Sequence, residues 1–439
     1  MDKLRISAAV EGFVKGDPSR FCMPGHKGNA RLSKIFGDSR KDVTELSVID
    51  NEKAVSDAEK DCAAILGVKF LRFLTGGSTA GIFSAVYAVK DYGKKLIINR
   101  SAHKSVFNIL SLLNIEPVFV AEGIKDGLPV LPDEKEIEKA LSDNPDAIGV
   151  LLTYPDYYGR TFDLPSIKNV VKKKGKYLLI DGAHGGHFAF VNPKLYAGRF
   201  ADIWVDGAHK TLPTLNQGAA VLTNDADLIC KLNDAVNIFS TTSPSYLILA
   251  SVEYGIKAYG ETDFTGVIKT IEETKRKIVG YGYSVLETDD PFKITVDFGG
   301  KGVNPLTAEK ILEENKVFAE MVTDRYILFM ASPFNGKKDF SRLIKGIKET
   351  VKIEKDYAVE DNNASAERVK QYLEAINSET QTIDLKDAVG RISAVNAGVF
   401  PPCYPIVVAG EKITEDVIKT LSVINVFGLS EEGKIKVIK

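Results

Sequence analysis

Short apolar runs alternate with helix-like segments through the middle of the chain, and this alternation predicts the fold. The runs with the length and apolar character of buried strands are Phe70 to Leu74, Leu96 to Ile98, Ala147 to Leu152, Tyr177 to Ile180 and Ile203 to Val205. Helical patterns lie between several of them, such as Gly81 to Tyr92 and Pro165 to Lys174. Strands and helices that alternate in this way predict an α/β fold with a mainly parallel sheet and helices on both faces.

The same pattern divides the chain into regions. We predict an N-terminal arm over residues 1–54, a large domain over 55–245, a small α+β domain over 246–351 and a C-terminal domain over 367–439. The small domain is predicted from a helix at Val267 to Val279 and from strands at Ile294 to Phe298 and Tyr326 to Met330. The residues around 352–366 are charged and polar, which is typical of a linker. A chain of 439 residues, 44% of them hydrophobic, is long enough for this division.

Charge and composition argue against several kinds of partner. The formal net charge is −2, so no basic excess indicates binding to nucleic acid or to an anionic membrane. No stretch approaches the length of a membrane-spanning apolar helix, and the first residues lack an apolar signal-peptide core, so we expect a cytoplasmic protein. The four cysteines lie too far apart for a disulfide framework or a zinc-binding spacing: Cys22, Cys62, Cys230 and Cys403.

Residues with reactive side chains follow nearly every predicted strand. In chain order the segments after the strands are TGGSTAG, NRSAHKS, TYPDYYG, DGAHGGH and DGAHK. Ligands of open parallel sheets bind beyond the carboxyl ends of the strands. All five histidines lie in these segments or in the PGHKG of the N-terminal arm: His26, His103, His184, His187 and His209. This clustering predicts an active site at that edge of the sheet.

The first of these segments favours an anion. Gly76, Gly77, Ser78 and Thr79 open a predicted helix directly after a strand. Glycines let the backbone approach a phosphate, the helix N-terminus offers free N–H groups, and the two hydroxyls add donors. A helix cap with a flexible turn is the alternative interpretation. The segment is not a Walker loop, because no lysine follows the glycines at the required spacing.

Asp181 ends a predicted strand, and its carboxylate has several possible uses. It could pair with a protonated ring nitrogen, orient a base, or cap the following turn. Together with His184 and His187 it also resembles a set of metal ligands. We expect no metal, because both histidines lie in a glycine-rich turn without further convergent carboxylates.

Lys210 follows another predicted strand, next to His209 and a turn of small residues. Partial desolvation at such a position lowers the pKa of a lysine and makes its amine nucleophilic. Most lysines are only solvated surface charges, and Lys104 of AHKS is the rival nucleophile by local pattern.

Taken together, these segments resemble one family, the ornithine/lysine/arginine decarboxylases of the aspartate-aminotransferase fold, in their shorter form. The matching stretches are MPGHKG, DVTEL, GGSTAG, NRSAHKS, LLTYPDYYG, DGAHGGHF, AHKTLPTLNQGA and STTSPSYLILAS. The resemblance covers nearly the whole chain and is thin between about Glu253 and Leu385. It implies the pyridoxal-phosphate (PLP) transferase fold of type I, with a mainly parallel large-domain sheet and small α+β C-terminal domains.

The resemblance also implies a cofactor and roles for individual residues. Lys210 would hold PLP as a Schiff base, Asp181 would keep the pyridine nitrogen protonated, and His103 would stack on the ring, so these three would be the catalytic residues. The implied PLP-binding residues are Gly77, Ser78, Thr79, His103, Asp181, His184, His209, Lys210, Thr241 and Thr242. The two threonines would reach the phosphate of a neighbouring subunit, which implies a homodimer with shared active sites.

The function that the resemblance implies is decarboxylation of an amino acid, with arginine, lysine or ornithine as the expected substrate. Several positions depart from the family pattern and leave the substrate open: Cys22, Gly182, Ala208, Val395 and the FPPCYP segment around Cys403. A substrate with a distal cation requires a carboxylate partner, and the candidates are Glu45, Asp50, Glu320 and Asp324. Transamination or β-elimination on the same scaffold and a non-catalytic PLP-binding protein are the alternative functions.

Overall fold

A seven-stranded sheet lies at the centre of this computed structural model, which describes residues 4–43, 51–359, 366–400, 403–422 and 426–439. The strands of the first half of the chain are β1 (Phe70–Leu74), β2 (Lys95–Asn99), β3 (Glu116–Val120), β4 (Ile124–Lys125), β5 (Leu128–Pro129), β6 (Ala147–Thr153), β7 (Tyr177–Gly182), β8 (Ile203–Asp206) and β9 (Ala219–Thr223). The order across the large sheet is β1-β9-β8-β7-β6-β2-β3. Only β9 runs antiparallel to its neighbours in this sheet, so the predicted, mainly parallel sheet is confirmed.

Helices cover both faces of this sheet. The helices of the first half are α1 (Arg5–Lys15), α2 (Ala30–Phe36), α3 (Asn51–Leu66), α4 (Gly77–Ala88), α5 (Lys104–Leu113), α6 (Glu134–Asp143), α7 (Leu164–Lys173), α8 (Phe188–Val191), α9 (Ala208–Thr211), α10 (Ala226–Phe239) and α11 (Tyr246–Gly260). Successive residues of a strand face opposite sides of a sheet. In β7, Leu178 and Ile180 therefore join the core under α3, α7 and α11, while Leu179 joins the core under α4, α5 and α10.

The middle of the chain forms a second, smaller sheet. Its elements are α12 (Thr265–Gly280), β10 (Ser284–Val285), β11 (Lys293–Asp297), α13 (Pro305–Glu314), β12 (Met321–Val322), β13 (Tyr326–Met330) and α14 (Lys337–Thr350). The strand order is β10-β11-β13-β12, and all its pairs are antiparallel. Its buried residues, such as Ile294, Val296 and Ile327, belong to the same core as one face of the large sheet. The small sheet is thereby held against the edge that carries the predicted site.

The C-terminal segment docks on the large sheet through charged side chains that are wholly or partly buried. Its elements are α15 (Tyr372–Ile376), β14 (Thr380–Asp384), β15 (Ala397–Val399), β16 (Pro405–Val407), α16 (Glu415–Leu421), β17 (Val426–Phe427) and β18 (Lys434–Ile438). Arg100, just after β2, pairs with the fully buried Glu411 at 2.7 Å. The carboxylate of Glu116 accepts hydrogen bonds from the first amides of α15, Tyr372 N at 2.7 Å and Leu373 N at 2.9 Å. Within the described ranges, no helix is both long and apolar enough to cross a bilayer.

Candidate active site

The carboxyl ends of five strands meet at one edge of the large sheet. Strands β1, β2, β6, β7 and β8 run in the same direction, because β1 and β8 are both antiparallel to the β9 that separates them. The segments that follow these strands therefore converge, as the sequence predicted. At the centre, Lys210 Nζ lies 3.3 Å from His184 Nε2. The charge of Lys210 also acts on the carboxyl of Asp181 and on the imidazole of His103.

The N-terminus of α4 is open toward this edge. Gly76 is its N-cap residue and offers no side-chain hydrogen bond to the first turn. Gly77 has φ +68°, a conformation that favours glycine, and its N–H donates to Gln217 O at 2.9 Å. Ser78 Oγ is buried without a hydrogen-bond partner among the described residues, while Thr79 is exposed. A Cβ on Gly81 would lie only 2.6 Å from Val205 Cγ1, so this glycine lets α4 pack closely on β8.

Asp181 is the second-last residue of strand β7 and is almost fully buried. Its Oδ1 accepts a hydrogen bond from Ala183 N at 3.2 Å. Burial raises the pKa of this carboxyl, while the charge of Lys210 and the bond from Ala183 act in the opposite direction. A buried carboxylate with so few protein donors is stabilised by a cationic group placed beside it.

His103 is the N-cap residue of α5. Its Nδ1 accepts from Ser105 N at 3.1 Å and lies 2.8 Å from Ser105 Oγ. Because Nδ1 accepts the backbone bond, the proton of the neutral ring is assigned to Nε2. Burial, together with the charges of Lys210 and Lys104, lowers the pKa of His103 to about 4. The ring is thus fixed in position and neutral at ordinary pH.

The two rival lysines have different surroundings. Lys210, on the short helix α9, faces His184 and lines a cavity of about 260 Å³. Lys104 Nζ instead lies over the ring of Phe427 in the C-terminal segment, 5.5 Å from its centroid. His209, next to Lys210, lines the same cavity, and its Nδ1 lies 2.9 Å from Gly218 O. This geometry favours Lys210 as the nucleophile.

The structure adds buried residues that the sequence analysis did not select. Lys293, at the start of β11, is 1% exposed and lies with its Nζ 3.4 Å from His184 Nδ1. Asp290 is fully buried and contacts His187 Nε2 at 2.9 Å. The ring of Tyr157 lies against His184, with 4.4 Å between the ring centroids. The signal available in the sequence was the DDPFK segment, where Asp290 and Lys293 enter a predicted buried strand.

Some predicted residues lie away from this centre. Thr241 and Thr242 are exposed and do not line the cavity beside Lys210. The hydrogen bonds of Thr241 within the described ranges go to Ser243. Glu45 and Asp50 lie outside the described residues. His184 and His187 contact lysines and Asp290 rather than sharing a ligand position with Asp181, and the described residues contain no cluster of three side chains suited to a metal ion.

Three positions that depart from the family pattern, Gly182, Val395 and Cys403, are closely packed against neighbouring residues. A Cβ on Gly182 would lie 2.9 Å from Val205 O on the neighbouring strand. Cys403 is buried with φ +66°, and its carbonyl accepts a hydrogen bond from Lys104 N at 2.9 Å. The C-terminal segment therefore contacts α5 directly beside His103. Val395 packs against the apolar core of the C-terminal segment.

Comparison with known proteins gives consistent matches. A family model described as the Orn/Lys/Arg decarboxylase major domain matches residues 6–386. The uncharacterized protein YaaO of Bacillus subtilis is 28% identical over 95% of this chain and 93% of its own length. The arginine decarboxylase of the same organism is 28% identical over 94% of this chain and 91% of its own. The lysine decarboxylase of Francisella novicida has the same fold, with a TM-score of 0.85, 19% identity, and 99% and 81% of the two chains covered.

Proposed function

The chain belongs to the Orn/Lys/Arg decarboxylase family, and on that premise we propose that it converts a basic amino acid into the corresponding amine. It is a PLP-dependent amino-acid decarboxylase of fold type I, as the sequence predicted. The observation that carries the substrate proposal is a series of contacts from Lys210 through His184 and Tyr157 to the carboxylate of Glu320.

The residues at the phosphate end fit this cofactor. Ser78 Oγ is a buried donor that lacks a protein partner in the described ranges, and α4 begins without a side-chain cap. A phosphate beside them would accept from the hydroxyl and from the free amides of the first helical turn. We assign Gly77, Ser78 and Thr79 to this role, with His209 nearby. Gly207 keeps the turn tight, because a Cβ there would lie 2.9 Å from Ser78 Oγ.

The residues at the ring end fit as well. Asp181 is the buried carboxylate that would hold a proton on the pyridine nitrogen, and His103 is the neutral ring that would pack against one face. Lys210 would attach the cofactor through Nζ, and His184 lies within contact of that nitrogen. When bound, PLP accepts the electron pair that the bond between Cα and the carboxylate leaves behind. The chain itself orients the substrate, presents the Asp181 carboxyl to the ring nitrogen and holds the proton that replaces the carboxyl group.

The distal cation of the substrate requires a carboxylate, and we assign Glu320. Its Oε1 accepts a hydrogen bond from Tyr157 Oη, and the Tyr157 ring contacts His184. Glu320 is exposed in the single chain, so its carboxylate is accessible to a cationic group. Asp324, in the turn between β12 and β13, is the rival, and its charge acts on the buried hydroxyls of Tyr158 and Tyr404.

The substrate proposal is tested by comparing kcat/KM for arginine, lysine, ornithine and the neutral analogue norleucine. A basic amino acid should be preferred by about a hundredfold or more, because the neutral side chain leaves a charged partner unpaired. Glu320→Gln should lose most of this preference mainly through KM, whereas the matched variant Asp324→Asn should keep it. Equal activity on norleucine would overturn the assignment of a basic substrate, and equal effects of the two variants would overturn that of Glu320.

We also propose that the active species is a homodimer. Thr241 and Thr242 are exposed in the single chain, which suits a role in the site of a second copy. Lys210→Ala and a Thr241→Ala/Thr242→Ala double variant should each be nearly inactive alone. After they are mixed and allowed to exchange subunits, activity should return to roughly a quarter of the wild-type value, since half of the dimers would carry one intact site of two. No recovery in mixtures that do exchange subunits would rule out the shared site.

A further inference from the structure

His187 and Asp290 form a buried pair where the small sheet meets the large one. His187 Nε2 lies 2.9 Å from Asp290 Oδ1, and the two side chains are 1% and 0% exposed. His187 directly precedes α8, and Asp290 lies shortly before β11 of the small sheet. Both residues line the cavity of about 260 Å³ that Lys210 also lines. The pair therefore lies beside the residue that would carry the cofactor.

Three polar atoms around this cavity have no hydrogen-bond partner among the described residues. They are His187 Nδ1, Asp290 Oδ2 and Thr211 Oγ1, and each of these atoms is buried. Buried polar atoms are normally satisfied by the protein, by ordered water or by a ligand group. The cavity thus offers water or a ligand a set of polar groups at the side of Lys210.

The ring of His187 is held in place by its neighbours. It stacks on Phe292 with 5.3 Å between the ring centroids and contacts the ring of Phe188 at 4.8 Å. Asp290 is held as well, because its Oδ1 accepts from Phe292 N at 2.9 Å and a Cβ on Gly159 would lie 2.6 Å from Asp290 Cβ. Since Nε2 is directed at a carboxylate, the proton of the neutral ring is assigned to Nε2. Nδ1 is then the nitrogen that can gain and lose a proton.

The charge of Asp290 suits an imidazole that takes up a proton. Burial by itself raises the pKa of this carboxyl, but the charge and hydrogen bond of His187, the charge of Lys293 and the bond from Phe292 N outweigh it. The pKa of Asp290 is therefore below its ordinary value, and the carboxylate is ionised at ordinary pH. An ionised carboxylate at one imidazole nitrogen stabilises the imidazolium that forms when the other nitrogen is protonated.

The other histidines near Lys210 have different surroundings. His103, His184 and His209 each have a pKa that is lowered by burial and by the charge of Lys210. No carboxylate of the described residues lies within ion-pair distance of these three rings. They are therefore poor proton donors at ordinary pH, which leaves His187 as the imidazole suited to that task.

Decarboxylation creates a demand for a proton at a defined atom. When an amino acid loses CO2, the bond between Cα and the carboxylate breaks, and its electron pair stays with Cα. A proton takes the place of the carboxyl group, so each turnover consumes one proton. Lys210 must be neutral to re-attach the cofactor, so a second group beside it is suited to hold this proton.

We propose that His187 supplies the proton that replaces the carboxyl group, through a water molecule in the cavity that it shares with Lys210. The inference rests on the proposed decarboxylase function. His187 Nδ1–H gives its proton to the water while the water gives one to Cα, and Nδ1 then regains a proton from solvent through the cavity. Nε2–H stays bonded to Asp290 throughout, so the ring returns to its starting state after each turnover. Asp290 acts through His187 and is a positioning residue.

The cavity gives solvent access to this pair. Phe334 lines it and is 61% exposed, so the cavity opens at the surface. Positive charge on Lys293, which also lines the cavity, favours release of a proton from a neighbouring imidazolium. The other ionisable groups along the wall are Lys210, His209 and Tyr259.

The first test follows the configuration of the product amine. A proton delivered from a fixed direction adds to one face of Cα, so in deuterium oxide the wild type should give a single configuration at Cα. His187→Gln should lower kcat by about a hundredfold with little change in KM, as for loss of an acid, and should give a mixed configuration. Imidazole added to His187→Gly should restore part of kcat. Asp290→Asn should also lower kcat, because a neutral amide no longer stabilises the imidazolium.

The matched control is Asp297→Asn. Asp297 is a buried carboxylate at the other end of β11 that pairs with Arg325 at 2.8 Å and does not line the cavity. This variant should keep the wild-type kcat and the single configuration. Equal losses of kcat in Asp290→Asn and Asp297→Asn would overturn the role of the pair, and so would a single product configuration in His187→Gln.

The second test needs no turnover. The chain contains five histidines, so the apo-protein labelled with 15N-histidine gives few imidazole signals. The signals of His187 are assigned by their loss in His187→Gln. This ring should keep its proton on Nε2 and titrate at Nδ1, and Asp290→Asn should shift its signals while Asp297→Asn should not. A neutral His187 ring that carries its proton on Nδ1 would overturn the route.

The tests also separate this role from the proposed function. A wild-type enzyme that releases no CO2 from any amino acid would overturn the decarboxylase function and the role of His187 together. A wild type that releases CO2, with normal kcat and a single product configuration in His187→Gln, would overturn the role of His187 alone.

Discussion

Replacing Arg100 by methionine should loosen the C-terminal segment from the large sheet. The guanidinium donates to Glu411 at 2.7 Å (Nη2 to Oε2) and 3.2 Å (Nε to Oε1). It also donates to Pro405 O at 2.8 Å and to Ile406 O at 3.2 Å. The side chains of Arg100 and Glu411 are 14% and 1% exposed, so solvent cannot replace these bonds.

The free-energy cost of Arg100→Met depends on the hydrogen bonds that Glu411 retains in the variant. Removing one partner of a buried ion pair costs about 3–5 kcal/mol, because the other charge is left buried and unpaired. Glu411 retains a hydrogen bond from Val408 N at 2.8 Å and a longer one from Arg368 at 3.4 Å. We therefore expect the lower end of that range, about 3 kcal/mol, which is about a hundredfold in the opening equilibrium of the segment.

Hydrogen exchange of the amides between residues 405 and 411 measures this opening directly. In Arg100→Met these amides should exchange about a hundredfold faster than in the wild type, while amides of β7 should not change. Arg368→Met is the matched control, because Arg368 contacts the same carboxylate from a position that is 31% exposed. Arg368→Met should lower the opening free energy of the C-terminal segment by less than about 1 kcal/mol. Equal acceleration of amide exchange in Arg100→Met and Arg368→Met would refute the reasoning from burial. The double variant Arg100→Met/Glu411→Gln should exchange more slowly than Arg100→Met, and a failure to do so would refute it as well.

Three further predictions concern the site. Lys210→Ala should abolish the absorption band of PLP bound to the protein and Lys104→Ala should keep it; the opposite result in absorption spectra would show that the rival lysine holds the cofactor. Asp181→Asn should bind PLP partly yet lower kcat by orders of magnitude, since a neutral partner cannot hold the ring nitrogen protonated; near-normal turnover would exclude this role. Folding lowers the pKa of His103 from 6.5 to about 4. Between these two pH values the unfolded chain binds a proton at His103 that the folded chain does not, so the free energy of unfolding decreases as the pH falls. The apo-protein of His103→Gln should therefore lose less of its melting temperature between pH 7 and pH 5 than the wild type, and an equal loss in thermal unfolding would contradict the assignment.

The strands of the large sheet and their reactive ends could be predicted because they depend on local pattern. A strand such as Tyr177 to Ile180 is buried on both faces of the sheet. Its residues are therefore all apolar, and this continuous run is recognisable in the sequence wherever the strand lies in the sheet. The polar residues after each strand then follow from the rule that parallel carboxyl ends share an edge. His103, Asp181, His184 and Lys210 were selected in this way, and the structure brings them together.

The direction of β9 and the contribution of the small sheet could not be predicted in the same way. AAVLT has the composition of a parallel strand, and apolar pattern carries no information on strand direction. Lys293 lies more than a hundred residues from His184 along the chain, as does Asp290 from His187. A lysine at the start of a predicted strand is usually interpreted as a solvent-exposed residue at the end of that strand. Only the packing of the small sheet against the large one turns Lys293 into a buried residue.

The reversed strand β9 has a consequence for the size of ligand that the site can hold. Because β8 and β9 are antiparallel, residues 207–218 join them without a crossover to the far side of the sheet, and this connection carries Lys210. The same connection contacts the first turn of α4, since Gln217 O accepts from Gly77 N at 2.9 Å. The loop between β8 and β9 therefore sets the distance between Lys210, where a cofactor would be attached, and the first turn of α4, where an anion would bind. Inserting one residue between 214 and 216, beyond the cavity-lining residues Leu212 and Pro213, would change the length of molecule that fits without replacing any side chain that lines the cavity.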